Sequence, residues 1–134
     1  MVLRNIVKMA HDIVSDALNQ IRNASNARKK NVVVRRYSKV LLGVLQIMKD
    51  AKNLESYRIN PENNTVEITI NKIMECRAIK PRFTIGKDEL DKYLERYLPA
   101  RDYGIMVVST NQGLMTHEEA REKKLGGCLI AFFY

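Results

Sequence analysis

The residues Ser109-Thr110-Asn111-Gln112-Gly113-Leu114-Met115-Thr116 form the densest run of groups able to do chemistry in this chain. Hydroxyls and carboxamides both donate and accept hydrogen bonds, so such a loop can read base edges and 2′-hydroxyls of RNA. A glycine lets the backbone come close to a ligand, and Met115 would either cover a base or pack. A helix N-terminus after Thr116 gives a second reading, a phosphate site. The plainest reading is a strand-to-helix turn whose Ser and Thr satisfy backbone groups. A hydrolytic reading would make Ser109 or Thr110 the nucleophile and His117 its base. It lacks an acidic group to orient the imidazole, and Glu118 and Glu119 are accounted for by favourable charge at a helix start.

The segments around this run must position it. Gly104 to Ser109 reads as a buried strand, Thr116 with Glu119 forms a capping box, Gly126 falls where a left-handed helix end is expected, and Leu129 to Tyr134 closes the chain as a strand. Upstream, Ile13, Val14, Ala17, Leu18 and Ile21 predict a helix from about Ala10 to Asn26. A basic turn and a strand from Asn31 to Arg36 follow. Ser38 caps a second helix reaching about Lys52, and strands at 55–60 and 65–70 are joined by Pro61-Glu62-Asn63-Asn64. The pattern weakens from Met74 to Lys80. Pro81 interrupts the chain before a short apolar run through Phe83 and Ile85, and Lys87 to Leu98 reads as a helix stopped by Pro99.

These elements predict an α+β protein of two small lobes packed together. A boundary is expected in the 74–81 region, with the lobes taken as residues 1–74 and 75–134. An alternating α/β chain with a parallel sheet is the competitor, made less suitable by the hairpin and the short helices.

Composition narrows the classes of function. A chain of 134 residues has no room for separate catalytic and regulatory domains. It has no apolar run near the roughly 20 residues of a membrane span and no signal-peptide core, so the cytoplasm is the expected compartment. Cys76 and Cys128 stand far apart with no histidine cluster, which argues for reduced core thiols and against structural zinc. His11 is expected at an exposed or edge position, and the six tyrosines are expected to finish a core with one wet edge. Of the net charge of +8, residues 1 to 36 supply +6, eight Lys or Arg against Asp12 and Asp16. That asymmetry attracts a polyanion, whether RNA, DNA or an anionic membrane surface; its bland counterpart is a solvated basic face.

The run Gly104-Ile-Met-Val-Val-Ser-Thr-Asn-Gln-Gly-Leu-Met-Thr-His-Glu-Glu-Ala-Arg, followed by Gly126-Gly127, resembles the small-subunit ribosomal protein eight family. The likeness extends to Ala78-Ile79-Lys80-Pro81-Arg82-Phe83, Leu98-Pro99-Ala100-Arg101-Asp102-Tyr103-Gly104, Ser38-Lys39-Val40 and Asp16 to Ala24, and so covers about Asp12 to Tyr134. The Ile-Lys-Pro-Arg-Phe and Leu-Pro-Ala-Arg-Asp-Tyr-Gly segments are closer to its archaeal and eukaryotic cytosolic branch than to its bacterial one.

The resemblance implies a structural constituent of the small ribosomal subunit, with no catalysis, no cofactor and no small-molecule substrate. It would bind the central domain of small-subunit rRNA, support subunit assembly, and have neighbouring ribosomal proteins as its other partners. The family's Ser-Thr-Ser-x-Gly-x-Met loop carries an RNA-holding role onto Ser109, Thr110, Gly113 and Met115, with Asn111 standing where a Ser is usual. The first lobe would hold sugar-phosphate through Arg22, Asn23, Lys29, Lys30, Ser38 and Lys39, and Arg82 joins the RNA-binding set from its matched segment. Residues 1 to 9 extend beyond the usual start, either adding RNA contact or trailing in solvent. Two other classes compete: a basic protein-interaction module without specific RNA recognition, and a small anion-binding enzyme built on the Gly113 loop.

Overall fold

A computed structural model of the chain describes residues 2–79, 84–86, 88–100 and 103–134, with backbone alone for residues 2–12. The side chain of His11 and all of Lys80, Pro81, Arg82, Phe83, Lys87, Arg101 and Asp102 lie outside the described residues, as do the expectations placed on them. The chain divides into two compact units, Met1–Met74 and Glu75–Tyr134.

In the first unit the apolar stripe of α1 (Val2–Asn26) buries Val14, Ala17, Leu18 and Ile21. The helix begins well before Ala10, because Leu3, Ile6, Val7 and Ala10 continue the same spacing backwards. It ends as Arg28 takes a left-handed φ of 61°, while Arg28 N donates to Ser25 O and Lys29 N to Ala24 O, the paired bonds of a Schellman ending. The chain then enters β1 (Asn31–Val34). Helix α2 (Lys39–Asp50) starts under a Ser38 cap, whose hydroxyl oxygen accepts from Leu41 N at 3.2 Å. Strands β2 (Leu54–Asn60) and β3 (Thr65–Ile70) complete an antiparallel sheet in the order β1-β3-β2. The period of two turns Val66, Ile68 and Ile70 inward, and they are buried with Val34, Leu54 and the α2 stripe of Leu41, Val44, Leu45 and Met48.

The second unit is also antiparallel, which rules out the parallel-sheet competitor. Its strands are β4 (Cys76–Ala78), β5 (Thr84–Ile85), β6 (Ile105–Thr110), β7 (Gly113–Thr116) and β8 (Gly127–Phe133), and its helices α3 (Leu90–Tyr97) and α4 (His117–Glu122). The sheet runs β4-β8-β6-β7, and β5 pairs with β8 as well. Leu90, Leu94 and Leu98 share one core with Ile79, Ile85, Met106, Val108, Leu129 and Phe132. Both cysteines are free, Cys76 buried and Cys128 half-buried, so only the first is a full core residue.

Two expectations are corrected. Gly113 to Thr116 is a strand, so the polar run is the end of a hairpin and not a strand-to-helix loop. The left-handed residue closing α4 is Lys124, with φ 55°, and not Gly126. Leu125 N reaching Ala120 O completes the same Schellman pattern seen after α1. Lys52, with φ 67°, does this for α2, where Asn53 N donates to Met48 O. All three positions are cationic, a charge that favours the negative end of the helix dipole and offsets part of the left-handed strain.

Candidate nucleic-acid interface

Strand β6 is held on both sides. Ser109 is opposite Cys128 of β8 and Leu114 of β7, and Thr110 is opposite Gly113, leaving Asn111 and Gln112 as the tip. The Thr110 hydroxyl closes the turn: it donates to Gly113 O at 3.0 Å and accepts from Gln112 N at 3.1 Å. Gly113 has φ +112°, and a Cβ added there would meet nothing within 4 Å. The backbone conformation therefore selects glycine at this position, and the space above it stays open to a ligand. Asn111, Gln112 and Gly113 are exposed and Ser109 and Thr110 half-buried, so amide, hydroxyl and bare backbone are presented together.

Met115 is 3% exposed. Its side chain packs under the hairpin, its sulfur 3.9 Å from Thr110 Oγ1, and supports the tip from beneath. Gly127 of β8 packs close against the hairpin just below its tip, where a Cβ would come within 2.3 Å of Ser109 O.

The catalytic and phosphate readings of this run lose their groups to structural work. His117 is 2% exposed, and its Nδ1 accepts from Met106 N at 3.1 Å. Burial pushes its pKa below the ordinary 6.5; Glu118 opposes that, Arg121 adds to it and Asp91 opposes it. At the start of α4 the Glu119 amide is already taken by Thr116 Oγ1 at 3.3 Å, and the first turn carries the acidic Glu118 and Glu119, which disfavour an anion. Arg121 is ion-paired with Asp91 of α3.

The remaining candidates lie in the first unit at two stations. Arg22 and Asn23 occupy the last turns of α1, and Lys29 and Lys30 the turn that follows; both lysines and Asn23 are exposed and Arg22 is half-buried. Ser38 and exposed Lys39 sit at the start of α2, with the Ser38 oxygen engaged as a cap. The RNA-binding set read from the sequence leaves out Gln112, although it belongs to the polar run, and Arg28. Gln112 shares the hairpin tip, and its place between Asn111 and a glycine was the available signal. Arg28 extends the basic turn, with left-handed backbone at φ 61°.

The described residues thus define a class: a basic α+β protein whose candidate surface is a polar hairpin and a cationic turn, with its one buried histidine committed to backbone. Residues 12–134 match the family Ribosomal protein S8. Among relatives, the small ribosomal subunit protein uS8 of Thermoplasma acidophilum is 36% identical over 129 residues, spanning 94% of this chain and 100% of its own. That of Archaeoglobus fulgidus is 39% identical over 131 residues with the same shares. That of Neurospora crassa is 35% identical over 125 residues, 91% of this chain and 96% of its own. The chain belongs to the ribosomal protein S8 family, whose members are structural proteins and not enzymes. Relatives in archaea and a fungus agree with the archaeal and eukaryotic branch indicated by the Ile-Lys-Pro-Arg-Phe segment.

Proposed function

We propose that this chain is a non-catalytic constituent of the small ribosomal subunit in the cytoplasm, where it binds the central domain of small-subunit rRNA and supports assembly. The observation that carries the reading is the family match along residues 12–134. The hairpin supplies a surface suited to it: Ser109, Thr110, Asn111 and Gly113 read the shape and exposed groups of one irregular RNA site, and Met115 holds them in place. Arg22, Asn23, Lys29, Lys30, Ser38 and Lys39, together with Arg82, hold sugar-phosphate and supply salt-sensitive affinity with little sequence preference. Neighbouring small-subunit proteins complete the set of partners, and the lobes of residues 1–74 and 75–134 divide affinity from recognition.

The test is binding of the purified protein to its own organism's central-domain RNA and to an unrelated duplex of equal length, across a salt series. The expected result is a preference for the central-domain RNA that survives at higher salt. Equal and salt-labile binding to both would reduce the surface to a generic basic face, as a protein-interaction module without specific RNA recognition would show.

A further inference from the structure

A cleft of about 320 Å³ in the first unit is lined by Ile13, Asp16 and Gln20 of α1, Val33 and Val34 of β1, and Arg35 and Arg36 beyond it. Its volume is at the low end of the roughly 300–1,000 Å³ of small-molecule sites, room for one nucleotide and not for a duplex. Ile13, Asp16 and Gln20, three and four residues apart, share one helix face. Val33 is an apolar residue left 52% exposed. Asp16, Gln20, Arg35 and Arg36 are exposed, and none makes a side-chain hydrogen bond or ion pair among the described residues. Residues bearing a carboxylate, a carboxamide and two guanidiniums therefore line one recess without pairing with one another.

The chemistry that fits is specific. Guanidinium forks grip phosphate in paired hydrogen bonds. Ile13, half-buried on the α1 face, offers an apolar surface to the flat face of a base. The Asp16 carboxylate only accepts, so it pairs best with two donors side by side. Among the RNA bases only guanine presents such an edge, N1–H beside its 2-amino group. Adenine and cytosine each present a single amino group next to an acceptor, and uracil's one N–H lies between two carbonyls that repel a carboxylate. Gln20, donor and acceptor together, suits guanine O6 or a ribose hydroxyl.

We propose that this cleft takes one unstacked guanine nucleotide of an RNA strand, its phosphate on Arg35 and Arg36 and its base edge on Asp16. The inference rests on the RNA-binding reading above and adds a site distinct from the hairpin and from the Lys29-Lys30 turn.

The test titrates the full chain with the single-stranded trinucleotides UGU, UAU and UIU (inosine lacks the 2-amino group) and with 5′-GMP, following backbone amide shifts at Asp16, Gln20, Val33 and Arg36. UGU is expected to bind at least about fivefold more tightly than UAU, the low end of discrimination by a bidentate contact, with UIU falling between. Asp16→Asn should bring UGU to the level of UAU while leaving UAU unchanged, and Arg35→Ala with Arg36→Ala should weaken all three. Equal affinity for UGU and UAU, shifts elsewhere only, or an Asp16→Asn protein that still prefers UGU would overturn the proposal. GMP binding as tightly as UGU would overturn the assignment to an RNA strand. If central-domain RNA shows no preference but UGU still titrates this cleft, the ribosomal reading fails and the cleft stands; the converse removes the cleft alone.

Discussion

His117 accepts the amide hydrogen of Met106, Nδ1 to N at 3.1 Å, and so continues the β6 ladder past Val107, where β7 ends opposite Thr116 and the chain turns into α4. Only a neutral imidazole can accept there. Burial keeps the folded pKa below 6.5, so between that value and 6.5 the unfolded chain binds more protons and stability rises with pH. The contribution is complete above about 6.5 and is lost as pH falls through the folded value. Thermal unfolding should show a Tm that drops as pH is lowered from 7.5 to 5. His117→Asn, which keeps an acceptor near the same place, should flatten that dependence. The same slope in both proteins would rule out His117 as its source.

Two glycines near the hairpin should fail for different reasons. At Gly113 the obstacle is φ +112° with open space around it, so Gly113→Ala should cost about 1 kcal/mol in backbone strain. Gly113→Val should cost more and remove the preference for the correct RNA. At Gly127 the obstacle is Ser109 O at 2.3 Å, so Gly127→Ala must push β8 from β6 and should cost more than Gly113→Ala. Chemical denaturation of the two alanine variants ranks them, and the reverse order would refute the steric account.

The buried Met115 predicts a split between two substitutions. Met115→Ala should cost about 2–4 kcal/mol by opening a cavity under the hairpin. Met115→Leu, close in volume, should cost under about 1.5 kcal/mol and leave RNA affinity intact. If Met115→Leu keeps its stability but loses affinity, the thioether touches RNA directly.

Lys52 and Lys124 hold left-handed backbone, at φ 67° and 55°. Glycine there removes the strain, so Lys52→Gly and Lys124→Gly should each raise stability by about 0.5–1 kcal/mol, less whatever the cation contributes at the helix end. A fall in denaturation midpoint for both would mean that the charge outweighs the strain.

Those helix ends also show where sequence pattern stops informing. Gly126 drew the expectation because glycine adopts the left-handed region freely, yet α4 is only six residues long and closes two residues earlier, on Lys124. β3, the α2 cap at Ser38 and the α4 cap at Thr116 with Glu119 were legible, since each is a local signal with a local cause. β4 and β5, three and two residues long, were not: pairing to β8 makes them strands, and their own residues carry no period. The hairpin was hidden because Asn111-Gln112 is not a recognised two-residue turn and its glycine comes one place later. The hairpin's groups were visible as a run, but not that His117 would accept from Met106 at the far end of β6. The Asp16 cleft was invisible, because helix and strand residues separated by the basic turn meet only in the fold.

The last prediction separates affinity from recognition. Lys29 and Lys30 are exposed, so reversing both to Glu should shift folding stability by no more than about 0.5 kcal/mol per site. If each lysine neutralises one phosphate, the double variant should reduce the slope of log affinity against log salt by up to about 2. Because phosphates are alike in every RNA, the loss should be similar for central-domain RNA and for an unrelated duplex, leaving their ratio unchanged. A Gly113→Val protein should behave in the opposite way, with its salt slope kept and its ratio lost. A ratio that collapses in the lysine variant would place recognition at the basic turn and leave the hairpin without its proposed role.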